Sequence, residues 1–366
     1  MTRFAHRIRF FVCILLLSGC SSTYIQRSPG VPSSIEPSEV PGAIVAAEDA
    51  LFADQSLVAL DWMRAASELR GLPSDQLTRV QRLLEASAER FILSIEGDPR
   101  AAEMMGEIMD LELPRQITVS AAIQGAQLYM EREEYNEAVK LVQRLDKRHL
   151  THHLRPEAGS LLLEAGLALS LLESGWFDSY REHAFVALEY CSVNYPRTAG
   201  GELALQRLAE MYEEDKRWSY AIARHEELTQ NYPSSALVPA SLARIPHLRL
   251  ASIESPEYDR KALIEARVDL EKWLRDYAGH ESTKEARYDL RDALVRLAES
   301  DLGIADFHVT IKNEIGARYH ATRALAEARS AGDDNRSARA QAILDALGAP
   351  GDGGPLSTSE PEGGQS

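Results

Sequence analysis

No stretch of the sequence alternates apolar and polar residues over the length of a strand, so little or no β-sheet is expected. Basic residues are in deficit, 40 Lys and Arg against 56 Asp and Glu, a balance of −16. That balance repels nucleic acid and anionic lipid surfaces, and it leaves cationic or neutral polypeptides as the better-suited partners. Catalytic signatures are missing too. No nucleophile motif can be read, and Gly351, Gly353 and Gly354 have no strand before them and no helix after them to make a phosphate cradle. Glu133-Glu134 and Glu213-Glu214 fall in turns between helices, where solvated charge is the ordinary role of a carboxylate rather than acid–base chemistry. His149 and His153 stand one helical turn apart, a metal-ligand spacing. Lys147, Arg148 and Arg155 crowd them with like charge, however, and cations in a helix's last turn are favourable without any metal. The expectation is a protein without cofactor, metal or enzymatic activity.

What is present is helical periodicity. From Gly201 to Pro233 the chain reads as two amphipathic helices joined by a polar turn. Leu205, Leu208, Ala209 and Tyr212 fall at i, i+3, i+4 and i+7, and Trp218, Ala221, Ile222 and His225 repeat that spacing after Glu213-Glu214-Asp215-Lys216. Asn231-Tyr232-Pro233 ends the pair, because proline offers no backbone donor and disfavours helix at the residue before it. Small residues at Ala209 and Ala221 let the helices approach, with Tyr212 and Trp218 expected to fill the space beside them.

The hairpin recurs. Ala126, Tyr129, Tyr135 and Ala138 repeat the intervals of Ala209, Tyr212, Trp218 and Ala221. Ala184, Leu188 and Asn194-Tyr195-Pro196 match Ala221, His225 and Asn231-Tyr232-Pro233 at a constant offset of 37 residues, and Ala266, Leu270, Trp273 and Asp276-Tyr277-Ala278 give a further copy. Ala209, Tyr212, Ala221 and Pro233 occupy the small, aromatic, small and proline positions of the tetratricopeptide pattern, which the chain resembles. The expected fold is all-α, a tetratricopeptide-like α-solenoid of stacked antiparallel helix pairs, which can grow without splitting because each repeat contacts only its neighbours.

At the N-terminus Arg3, Arg7 and Arg9 precede an apolar run from Phe10 to Leu17, far short of the roughly 20 residues that span a bilayer. Residues 1–19 therefore read as a cleaved export signal. Its end, Leu17-Ser18-Gly19-Cys20, resembles the bacterial lipobox, which implies lipidation of Cys20 and an exported lipoprotein stably anchored by its acyl chains. Ser21 after the anchor points to the outer membrane. Removing residues 1–19 takes away three arginines and no acid, leaving 37 basic and 56 acidic residues, a balance of −19. Cys13 leaves with the signal, so Cys191 alone of the three cysteines is left without lipid; it reads as a packing residue, and no internal disulfide is possible.

Residues 20–41 read as lipid anchor and tether. Ser21 to Pro41 is Ser- and Pro-rich without apolar periodicity and could extend about 65 Å, so the folded part could stand clear of a membrane. Residues 42–113 read as degenerate helical repeats: Ala46 to Arg70, Ser74 to Ile95 and Pro99 to Asp110, with Ser74 and Asp98 as candidate N-caps. Residues 114–347 form the clear repeat domain, closing with helices from Ser282 to Thr310, Glu314 to Ser330 and Asp333 to Leu347. Residues 348–366 include nine Gly or Pro and read as a disordered tail.

The segment from Leu294 to Leu325 resembles the C-terminal signature of the BamD-type outer-membrane assembly lipoproteins. Leu297, Ala298, Ala305, Asp306, Phe307, Gly316 and Ala317 match it, His308 stands where a second aromatic is usual, and Ala266 to Tyr277 fits that family's penultimate repeat. The resemblance covers residues 155 to 330. It implies a lipid-anchored scaffold on the periplasmic side of the outer membrane, docking partner proteins such as a β-barrel assembly core protein. By tetratricopeptide register, Ile123, Gln127 and Met130 in one repeat and Gln206, Glu210 and Glu213 in another are expected to line a groove for an extended peptide or a partner's loop. An envelope lipoprotein that binds peptides, cell-wall proteins or division proteins is the other reading of the same features.

Overall fold

Three backbone hydrogen bonds close the same corner again and again along this chain. After a helix, the C-cap residue donates four back, the next residue sits in the left-handed region, and the residue after that donates five back. Glu133, Lys216 and Lys312 hold the left-handed position at φ 61°, 55° and 57°, with Glu134, Arg217 and Asn313 donating to Tyr129, Tyr212 and His308. Asp54 does the same at φ 58°, with Gln55 donating to Ala50. This is the Schellman arrangement, and it satisfies carbonyls that a helix end leaves without partners.

A computed structural model describes residues 24–348 apart from 112, 173–178 and 254–258. The export signal, Cys20 and all of the expected tail but Gly348 lie outside the described residues. Fifteen α-helices and no strands are found among those described, and successive helices pack on one another as in a repeat solenoid. The chain divides into two compact units between Leu161 and Leu162, within helix α7 (Arg155–Leu171).

The first unit contains α1 (Val40–Phe52), α2 (Ser56–Ser67), α3 (Ser74–Ile95), α4 (Ala101–Ile108), α5 (Arg115–Glu131) and α6 (Tyr135–Arg148). Leu60, Met63 and Ile108 are fully buried within a cluster that includes Ile44, Val80, Phe91 and Met105. Each such side chain contributes roughly 1.5–3 kcal/mol relative to an exposed one. The single helix expected from Ala46 to Arg70 is instead two, because the Schellman turn at Asp54 lets Ala47 and Ala59 bury on facing helices. Ser74 opens α3 at its first position, with Pro73 as N-cap, so it is not the cap itself. Asp98 accepts the Arg100 amide at 2.7 Å and secures the start of α4 from one turn upstream.

Residues 24–41 are not an extended tether. Ile25, Val31, Ile35 and Val40 are buried, a short 3₁₀ turn runs Pro37–Glu39, and two carboxylates hold the backbone. Glu107 accepts the amides of Tyr24 and Ile25, each at 2.7 Å, and the buried Asp61 accepts the Ser28 amide at 2.7 Å. The apolar residues in this stretch follow no helical or strand period, so periodicity alone could not reveal that they pack.

The second unit holds α8 (Tyr180–Asn194), α9 (Ala199–Glu214), α10 (Trp218–Asn231), α11 (Val238–Ser252), α12 (Arg260–Asp276), α13 (Thr283–Thr310), α14 (Glu314–Ala331) and α15 (Asp334–Ala346). Tyr195, Tyr232 and Tyr277 each end a helix with φ near −120° to −130° and donate their amide to the residue four back. His149 repeats that cap after α6 at φ −137°, in a position the Tyr-Pro pattern does not mark. Thr198 caps the next helix by accepting the Gly201 amide at 3.0 Å, and Gly201 itself is confined: a Cβ there would lie 2.5 Å from the Tyr195 carbonyl oxygen and 2.6 Å from the Tyr232 hydroxyl. Leu205, Leu208, Ala209 and Tyr212 are buried as the spacing predicts. The neighbour of Tyr212 is not Trp218, however. Its ring packs on Phe185 at 4.8 Å and Tyr220 at 5.3 Å, beneath the Arg217 guanidinium, while Trp218 faces outward in part.

Candidate functional site

Helices α9, α11 and α13 expose a shared face in the second unit. Position follows from helical spacing: Gln206, Glu210 and Glu213 lie on one side of α9, Arg244 and His247 one turn apart on α11, and Glu285 and Asp289 one turn apart on α13. Small residues on the inner sides, Ala240, Ala243 and Ala286 with Ser241, leave room between them. The result is a cleft of about 300 Å³. Shallower recesses continue it, one reaching Trp218 through Glu213 and Arg244, the other reaching the exposed Tyr288 through Ser282 and Glu285.

The charges in the cleft are organised around Arg244. Its guanidinium donates to Glu213 Oε2 at 2.6 and 2.9 Å and to Glu285 Oε1 at 3.2 Å, joining α9, α11 and α13 through one side chain. His225 Nε2 lies 3.1 Å from the other oxygen of Glu213, and His247 Nδ1 lies 3.0 Å from Asp289. Burial pushes the Glu213 carboxyl pKa up, but the hydrogen bonds from His225 and Arg244 outweigh it and hold the value below the ordinary glutamate range. Desolvation would lower the Arg244 pKa, but the bond to Glu213 together with the charges of Glu213, Glu285 and Asp289 outweighs it and shifts it upward. Gln206 donates to Glu210 at 3.2 Å. Four carboxylates therefore face one arginine and two histidines. The arrangement can accept donors from an extended backbone or a cationic side chain.

Of the expected groove residues, Gln206, Glu210 and Glu213 all line this cleft. The other set does not behave alike. Gln127 is exposed and Met130 half-buried, but Ile123 is only 3% exposed and belongs to the interior of the first unit. Helix α5 packs against α3, α4 and α6, so three of its sides are covered and the register of a two-neighbour repeat misplaces Ile123. Beside His149 and His153, the buried His152 lies 3.2 Å from the Asp146 carboxylate. Among the described residues no group of three or more His, Cys, Asp or Glu is arranged to hold a metal ion. Cys191 is fully buried, and burial pushes its thiol up to about 12, so it packs rather than reacts.

The sequence reading missed a second polar centre. Asp301 on α13 is fully buried, 2.6 Å from Arg260 of α12, 2.6 Å from His320 and 3.6 Å from Arg323, both of α14. Glu327 lies nearby, buried, 3.8 Å from Arg267, and its carboxyl is pushed up to about 7 by burial first and the Asp301 charge second. A signal for Asp301 did exist: it stands in the stripe Leu294, Leu297, Ala298, Leu302, Ala305, where an acid must find buried partners. Gly316 of the C-terminal signature is required by the His308 ring, which a Cβ there would approach to 2.6–2.8 Å; His308 in turn stacks on His320 at 5.6 Å.

No family model matches the chain, and no curated protein matches it. Among solved structures it is similar to a "Circular tandem repeat protein with novel repeat topology and enhanced subunit contact surfaces", at 16% identity over 84% of this chain and 75% of that one, with a TM-score of 0.17.

Proposed function

We propose that the protein is a non-enzymatic, lipid-anchored scaffold of the tetratricopeptide type, held at the periplasmic side of the outer membrane and binding partner proteins through the α9–α11–α13 cleft. The observation that carries this reading is the cleft itself: alternate helices place Gln206, Glu210, Glu213, Arg244 and Glu285 on one concave polar face with aromatic residues at its ends. Such a surface suits an extended segment whose backbone and side-chain donors meet fixed acceptors. The likeness of residues 155 to 330 to the BamD-type lipoproteins supports a β-barrel assembly core protein as the partner. The lipobox-like Leu17-Ser18-Gly19-Cys20 supports anchoring at Cys20.

A photo-crosslinker replacing Gln206 in the lipidated protein, expressed in its own cells, tests the reading. Crosslinking to the barrel-assembly core protein, lost when the probe is moved to the exposed Val193, is the expected result. Crosslinking instead to cell-wall or division proteins would replace barrel assembly with the other envelope role. No crosslink from the cleft above that from Val193 would remove the cleft as a docking surface.

A further inference from the structure

The strap of residues 24–41 sets how far the first unit can stand from its anchor. A free tether of some 20 residues would reach about 65 Å. Here the chain is instead fixed from Tyr24 onward: both oxygens of Glu107 accept successive amides at 2.7 Å, Asp61 accepts a third, and Ile25, Val31 and Ile35 are buried. Charge-assisted bonds of this kind are roughly twice as strong as neutral ones. Between Cys20 and Tyr24 the backbone can span at most about 14 Å.

We infer that the strap holds the first unit down on the membrane, with the surface around Tyr24, Glu107 and Arg100 facing the lipid headgroups. The inference rests on the reading of Cys20 as the lipidated residue. Two features of that surface fit an interfacial position. Tyr24 is 39% exposed at the end of the strap, and tyrosine is enriched at the headgroup level because its ring is apolar and its hydroxyl polar. Arg100, paired with Asp98 at 3.1 Å through Nε and Nη2, remains largely exposed and can turn its Nη1 to phosphate oxygens. The anchor supplies the attachment against the acidic balance of the chain and against Glu103, Asp110 and Glu137 near Tyr24, and the strap supplies the orientation.

Full-length lipidated protein, labelled with a fluorophore at a Lys140→Cys substitution beside Tyr24 and reconstituted into phosphatidylethanolamine–phosphatidylglycerol vesicles with nitroxide-bearing headgroups, tests this. The buried Cys191 thiol does not compete for label. Strong quenching is expected. A dozen Gly and Ser residues inserted between Cys20 and Tyr24 add about 20 Å of relaxed span and should at least about halve the quenching without touching the fold. Glu107→Ala should lower it as well and release the Tyr24 and Ile25 amides to hydrogen exchange. Unchanged quenching on insertion, with Cys20 found acylated by mass spectrometry, overturns the strap and leaves the anchor standing. Cys20 without lipid overturns both.

Discussion

In the first unit the buried acids Asp61 and Asp146 bond a backbone amide and a histidine, with Arg64 and Arg155 farther off at 3.5 and 3.7 Å, within a unit whose apolar cluster runs through α1 to α5. In the second unit Asp289, Asp301 and Glu327 are buried against arginines and histidines. Polar ties there step across about one repeat: Arg244 to Glu285, His247 to Asp289, Arg260 to Asp301 and Arg336 to Glu299. The second unit ties its buried acids to neighbouring helices, Asp301 alone meeting Arg260, His320 and Arg323. A buried pair adds little over an apolar substitute yet costs heavily when halved, so the two units should fail differently.

Asp301→Ala should produce the largest loss, about 3–5 kcal/mol, because it strands Arg260 and His320 without their partner. Urea unfolding of the second unit would read it, and a loss below 1 kcal/mol would erase the contrast. Gly201→Ala should cost about 1–3 kcal/mol by the same measurement, since its Cβ meets a backbone carbonyl that cannot swing aside.

The pH dependence should run in opposite directions. Glu327 titrates near 7 in the folded state against an ordinary 4.5, so the folded unit holds an extra proton between those values and its stability falls as pH rises through that window. Glu327→Gln should flatten the fall. His149 and His152 are shifted below their ordinary 6.5 by burial, so the unfolded chain binds protons more readily and the first unit should lose stability as pH drops below 6.5. Amide exchange followed separately in the two units from pH 5 to 8 would show both slopes; parallel slopes would refute the assignment. The smallest effect belongs to Arg79→Ala, which breaks an exposed pair with Glu48 in the first unit. Less than about 1 kcal/mol is expected, fading with added salt.

Helix pairs were legible in the sequence wherever an apolar stripe met a Tyr cap, as at Tyr195, Tyr232 and Tyr277. The same cap at His149 was not, because its geometry needs no tyrosine. Gln206, Glu210 and Glu213 could be placed by register because they lie on the open side of α9, whereas Ile123 lies on a side of α5 that packing covers. The strap escaped because the amides of Tyr24, Ile25 and Ser28 are held by distant carboxylates, Glu107 and Asp61, whose role no local pattern announces. Ion pairs such as Arg244 with Glu285 join residues 41 apart and read locally as solvated charge.

The corner at Asp54, Glu133, Lys216 and Lys312 is occupied by two acids and two bases, none of them glycine. Its three bonds use only peptide groups, which every residue except proline can supply in full. Such a hinge point tolerates free exchange of surface chemistry while the angle between its helices stays put. Copies of the hairpin could thus drift apart in sequence until little but their geometry still declares a common origin.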